Sequence, residues 1–325
     1  MEQRTWAAGT ALPKWLLITA IAPAVWGTTY VVTSELLPPG HPLWSSVLRA
    51  LPAGLIGLLI CRRLPSGQWW WRSLVMGMLN MGMFFPLLFV SAYRLPGGLA
   101  AVLSASQPLF VAALGLVLLR ESPTLWRLLC GFAGVVGIAL MVLDADAAID
   151  FWGVVAGLVG TGSMGAGIVL SKRWGRPVGA LTWTSWLLAW SGLLLVPAAL
   201  VAEGPMPALD GGAVAGYAWL SIVGGLLTYW AWFAGLSRLP TSAASFLPLL
   251  SPVVATLLGI ALLGQQLLPV QWVGFCLCLA AICGAQLPAP FRALRRSVGP
   301  GPRSAGRIQD RQPAGHQDHN QSVGT

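Results

Sequence analysis

Read only for hydrophobic and polar positions, the chain is a series of long apolar runs cut by short polar loops. Ten runs, near residues 15–35, 42–61, 73–92, 97–119, 124–143, 151–171, 180–201, 216–237, 241–263 and 267–287, reach the length of a membrane crossing. A helix needs roughly 20 apolar residues to span about 30 Å of hydrocarbon. Each run is continuously apolar instead of alternating, which predicts helices and not barrel strands, because a helix satisfies its own backbone groups in lipid. The expected fold is all-α integral membrane, with ten transmembrane helices. Lys14 followed by "WLLITAIAPA" has the outline of a secretory leader, but the apolar run continues through "VWGTTYVVT", so a retained first helix is expected.

The pattern also repeats. Shifting "RLPGGLAAVLSASQP" (94–108) by 144 positions lays it on "RLPTSAASFLPLLSP" (238–252). Arg94, Leu95, Pro96, Ala100, Leu103 and Pro108 match Arg238, Leu239, Pro240, Ala244, Leu247 and Pro252. The register holds through Leu114, Gly115, Leu118 and Leu119 against Leu258, Gly259, Leu262 and Leu263. An internal duplication of five helices is expected. Because five is odd, the second copy must run through the membrane in the opposite sense, giving two inverted five-helix repeats.

Charge then sets the topology. Only 9% of the residues are charged, 56% are hydrophobic and the net charge is +9. A soluble domain carries about 25% charged residues. Such basicity suits nucleic acid as well as membrane topology, and placement decides between them. With the N-terminus in the cytoplasm, every Lys and Arg except Arg49 and Arg94 falls on the inner side or in the tail, while Glu35, Asp144, Asp146, Asp150, Glu203 and Asp210 fall outside. That is the positive-inside pattern, and no nucleic-acid partner is expected. The chain divides into a cytoplasmic N-terminus 1–14, a first repeat 15–143, an external linker 144–150, a second repeat 151–287 and a disordered basic cytoplasmic tail 288–325. A multi-pass plasma (inner) membrane protein with both termini cytoplasmic is expected.

Chemistry is sparse inside the spans. No Asp, Glu or His lies mid-helix, so neither a carboxylate relay nor an enzyme's acid/base constellation has residues to use, and no catalytic residue is expected. Cys276, Cys278 and Cys283 lack metal-ligand spacing, so no metal or other cofactor is expected. "GTGSMG" (160–165) matches a dinucleotide fingerprint in form only and reads as close helix packing. Arg49 is the one charged side chain well inside a span, where charge is costly; it either serves a site or snorkels to the interface. Trp26, Thr29, Tyr30 and Thr33 follow i, i+3, i+4, i+7 spacing and share a face, which either lines a cavity or bonds to neighbouring helices. Asn80 and Phe84 pair likewise, and Tyr229, Trp230 and Trp232 crowd one later helix.

Pro108 and Pro252 occupy the same place in each repeat, and each removes a backbone donor, so a helix break is expected at both. Ser104 and Gln107 precede the first break, and Ser245 and Ser251 flank the second. Interrupted helices in corresponding positions point to a transport site. Trp26, Thr29, Tyr30, Arg49, Asn80, Ser104, Gln107, Tyr229, Trp230, Ser245 and Ser251 are therefore the candidate substrate-binding residues.

"APAVWGTTYVVTSELLPPG", "LRALPAG", "LFVSAYRLPGGLAAVLSASQP" and "WFAGLSRLPTSAASFLPLLSPVVATLLGIALLGQQLLPVQWVG" resemble the EamA family of the drug/metabolite transporter superfamily, most of all its PecM-type exporters. The resemblance spans about 15–287 and implies two EamA-like five-helix repeats around a central cavity. It implies export of small metabolites by alternating access. Many members carry Glu near the end of each repeat's fourth span; here Glu121 keeps it and Gln265 replaces it in the second copy. A neutral amide does not titrate, which favours amino-acid-like, zwitterionic, neutral or anionic substrates over obligate cations. A small-molecule metabolite and membrane lipids are the expected partners, with a homodimer left open, as is a channel or scaffold role.

Overall fold

A computed structural model describes residues 11–95, 103–104, 106–120, 124–142, 150–239, 247–263 and 268–286. Ser245, Glu121, Gln265 and the tail lie outside the described residues. All regular structure among the described residues is helical. In chain order the helices are α1 (Ala11–Leu36), α2 (Pro42–Cys61), α3 (Trp69–Arg94), α4 (Gln107–Leu119), α5 (Leu125–Val142), α6 (Phe151–Trp174), α7 (Ala180–Ala202), α8 (Gly211–Leu236), α9 (Leu250–Leu263) and α10 (Pro269–Gln286). Six of them, α1, α2, α3, α6, α7 and α8, are long and apolar enough to cross a membrane; the other four are shorter apolar helices. The sequence of lengths is long, long, long, short, short, twice over. α1 runs unbroken through Ala22, Pro23 and Ala24.

The short helices have a local cause. α4 begins at Gln107 with Pro108 in its first turn, after a turn at Ser106. α9 begins at Leu250, after a 3₁₀ turn at Leu247–Leu249, with Pro252 in its first turn. Proline is at home there, since first-turn N–H groups lack an intrahelical acceptor. Each proline thus stands in the first turn of a helix, at the place where the sequence pattern predicts a break.

α3 and α8 each contain a π-helical segment, Met78–Gly82 and Trp219–Leu227. In α3 the cause is Pro86, which has no N–H for the carbonyl of Gly82; just before it, Met83 N–H reaches back five residues to Met78 O at 2.7 Å. In α8 the widened turn holds the Gly224–Gly225 pair, and the Gly224 carbonyl accepts from the Trp26 indole at 3.2 Å.

Packing is reciprocal between the two sets. α1 packs on α8 and α9, while α6 packs on α3 and α4; α2 pairs with α7, and α5 with α10. At the α2/α7 crossing, Gly54 meets the backbone of Ala189 and Gly192 meets Leu51 so closely that no Cβ fits at either glycine. Small residues let helices approach in lipid, where dispersion replaces the hydrophobic driving force. The glycines of "GTGSMG" do the same, seating α6 against Phe84, Leu87 and Phe110.

The two ends differ in chemistry. One gathers Trp15, Arg63, Arg72, Trp174, Arg176, Trp183 and Arg238: the Arg72 guanidinium lies 5.4–5.5 Å from the rings of Trp69, Trp71 and Trp174, and Arg238 lies 3.8 Å from Trp15. At the other, the Glu203 carboxylate accepts from the N–H groups of Leu43 and Trp44 at 2.7 and 3.0 Å, and Arg94 pairs with Asp150 at 3.2 Å.

Candidate functional site

Helix periodicity brings Trp26, Thr29 and Tyr30 of α1 to one wall of a buried cavity of about 40 Å³. Arg49 enters from α2, Phe84 and Leu88 from α3, and Tyr229 from α8. The starts of the two short helices close the remaining sides, with Ser104 and Gln107 before and at the head of α4 and Pro248 and Ser251 at that of α9. Thr161 and Met164 of α6 complete the lining. Both interrupted segments therefore face one space, and each brings hydroxyl or amide groups to it.

Arg49 decides the electrostatics. It is 1% exposed, so it does not snorkel. Its Nη1 donates to Thr29 Oγ1 at a long 3.4 Å, its guanidinium lies 4.6 Å from the Phe85 ring, and its Nε is buried without a hydrogen-bond partner. The ion pairs found among the described residues, His41–Glu203 and Arg94–Asp150, leave it out. A buried cation held by a ring face and one weak hydroxyl bond is under-compensated, and breaking a buried pair costs about 3–5 kcal/mol. Such a site favours an anionic group.

Aromatic rings pack together at the cavity. Trp26 lies 4.8 Å from Tyr229 and 5.4 Å from Trp232, and Phe85 lies 6.0 Å from Tyr229. The Trp26 indole donates to Thr228 Oγ1 at 3.0 Å as well as to Gly224 O, which fixes the ring plane. Tyr30 shares a hydrogen bond with Ser104, tying α1 to the segment before α4.

Of the residues chosen from sequence, Trp26, Thr29, Tyr30, Arg49, Ser104, Gln107, Tyr229 and Ser251 line this cavity. Two lie elsewhere. Trp230 is 45% exposed, on the outer face of α8, because adjacent helical residues point about 100° apart. Asn80 is buried at the α3/α6 contact, where its Nδ2 donates to Met76 O at 2.8 Å and its amide packs on Gly167. Thr33 is buried off the lining, with its hydroxyl unpartnered. Thr161, Met164 and Phe85 were not singled out; Thr161 and Met164 sit within "GTGSMG", whose glycines suffice to explain it as packing.

The EamA-like transporter family matches residues 13–143 and again 151–285. The chain belongs to that family. Protein PecM of Dickeya dadantii (strain 3937) is 43% identical over 264 residues, covering 80% of this chain and 88% of PecM. The uncharacterized inner membrane transporter YedA of Escherichia coli (strain K12) is 28% identical over 258 residues, 76% of this chain and 82% of YedA. A solved crystal structure superposes with a TM-score of 0.71 at 17% identity, over 88% of this chain and 99% of its own, which speaks for the fold. The protein is thus a multi-pass membrane transporter, and small molecules are its class of substrate. YedA is named as a transporter, in keeping with a non-enzymatic role.

Proposed function

We propose that this family member exports small metabolites carrying a carboxylate or other negative group, including zwitterionic amino-acid-like compounds, by alternating access. The observation that carries the reading is Arg49, buried at the cavity without a carboxylate partner among the described residues. A substrate anion supplies the missing compensation, while Trp26 and Tyr229 offer apolar surface to its body.

In this reading, residues 15–143 and 151–287 are inverted five-helix repeats joined by 144–150, with 1–14 and 288–325 in the cytoplasm. The reciprocal packing of α1 and α6 on each other's partner helices supports it, as does the double family match. The positive-inside rule then assigns the end bearing Arg63, Arg72 and Arg176 to the cytoplasm. The inner membrane is the expected location, by analogy with YedA's description. A metabolite does not fit in about 40 Å³, since ligand pockets run to about 300–1,000 Å³, so the cavity must widen as one end opens. The Pro-headed starts of α4 and α9 are where the lining has the fewest intrahelical bonds to break.

The test is a metabolite profile of cells and medium with the wild type against equal membrane levels of Arg49→Gln. A carboxylate-bearing compound depleted inside and enriched outside only with the wild type is the expected result. An exported compound unaffected by Arg49→Gln removes the arginine from the site, and an unchanged profile across all classes sinks the export reading.

A further inference from the structure

A second cavity, of about 250 Å³, opens at the basic end between α6, α7 and α8. Its wall carries Ser171, Lys172 and Arg176 from α6 and the following loop, Trp183 from α7, and Phe233 and Ser237 from α8. No carboxylate among the described residues lines it. The Arg176 guanidinium is pinned at the wall by donating to Phe233 O at 2.8 Å. Burial, and then the nearby Arg238 charge, push the Arg176 pKa below its usual value.

The two cavities are in line. Thr161 and Met164 face the first, Ile168, Ser171 and Lys172 continue the same stripe of α6 into the second, and Arg176 follows from the loop after it. On α8, Tyr229 faces the first, and Phe233, Leu236 and Ser237 face the second. One helical turn, about 6 Å, separates them. The Tyr229 and Phe233 rings, 6.1 Å apart, stand at that step.

We propose that the cavity beside Lys172 and Arg176 is a second binding station, which takes a small carboxylate with an apolar or aromatic body before it moves on to Arg49. The assignment rests on the export reading above. Its charge, Trp183 and Phe233 rings and size suit such a ligand, and its alignment with the central cavity gives the ligand a route. An anionic lipid headgroup shares the charge but does not use that route.

The test uses the full chain with Ser171→Cys in phosphatidylcholine nanodiscs, which leave both ends accessible. Methanethiosulfonates bearing either a sulfonate or a trimethylammonium group are applied, and modification is read by mass on the peptide holding residue 171. Ser66→Cys, exposed on the same end beside Arg62 and Arg63, reports the general surface potential. The sulfonate-to-ammonium rate ratio should be about fivefold higher at 171 than at 66. Millimolar benzoate should slow labelling at 171 and not at 66, and Arg176→Gln should abolish both effects; Lys172→Gln serves if that variant misfolds. Equal ratios at the two sites, or no slowing by benzoate, overturn the proposal. So does protection by added phosphatidylglycerol where benzoate gives none, which marks a lipid contact. These readouts need no transport, so they stand apart from the metabolite profile, and the export reading can fail without them.

Discussion

At the two ends of the molecule, matching positions of α3 and α8 stand in different surroundings and differ in one side chain of the pair. At the basic end, Phe233 and Ser237 of α8 border a cavity of about 250 Å³. Their counterparts 144 residues earlier, Phe89 and Tyr93 of α3, border a packed seam. There the Tyr93 hydroxyl donates to Pro38 O at 3.2 Å and shares a 3.2 Å bond with Ser45 Oγ, which in turn bonds the Tyr217 hydroxyl at 2.9 Å. The phenol fills and bridges what serine leaves open. Tyr93, itself half-buried, stacks on Phe89, which is 0% exposed. Matching positions of α3 and α8 are thus packed shut at the acidic end and border open space at the basic one.

The strongest way to break this asymmetry is to give the open end the closed end's side chain. Ser237→Tyr places a phenol in the second cavity, and transport should fall roughly tenfold or more, in line with the 1–3 kcal/mol cost of overpacking. Labelling of a cysteine at 171 should slow in parallel. Unchanged transport in a well-inserted variant means that the cavity is not on the route.

The converse loosens the closed end. Ser45→Ala removes the hydroxyl that joins Tyr93 to Tyr217. With about 1 kcal/mol for each of the two neutral hydrogen bonds, the balance should shift roughly thirtyfold toward opening at that end. Thr33→Cys, buried near the cavity on α1, reports the change as faster thiol labelling from the acidic side. No acceleration would assign the closure to helix packing instead of the tyrosine seam.

Much of this was legible in the sequence, for identifiable reasons. Long apolar runs forecast the helices, and the i, i+3, i+4 spacing of Trp26, Thr29 and Tyr30 forecast a shared face, since both follow from period alone. Arg49 announced itself because an ionisable residue in a span is rare. The π-helical segments were not legible. The slip in α3 depends on where Pro86 falls relative to its neighbours, and that in α8 has no proline at all. Nor could sequence separate Pro108 as a helix start from Pro108 as a kink, since both follow from a missing N–H and the choice rests on the preceding turn at Ser106. The difference between Tyr93 and Ser237 was present in plain sight, but it acquires meaning only when one is seen to border a packed seam and the other a cavity.

The finest comparison is within one helix, between neighbours of the same aromatic kind. Tyr229 is 1% exposed, packs against Trp26 and Phe85 and lines the central cavity, whereas Trp230 points out of the bundle. Tyr229→Ala removes a ring that lines the cavity together with Arg49 and stands at the step toward Phe233, so transport should drop by well over tenfold, given the 3–5 kcal/mol typical of large aromatic truncations. Trp230→Ala removes a comparable ring from the outer surface, and initial rates should stay within about twofold, since surface changes away from packed features cost about 0.5 kcal/mol or less. Rates normalised to membrane abundance separate the two. Similar losses in both would mean that the outer face of α8 takes part in transport, through a neighbouring copy or bound lipid, and would place the working surface on both sides of the helix.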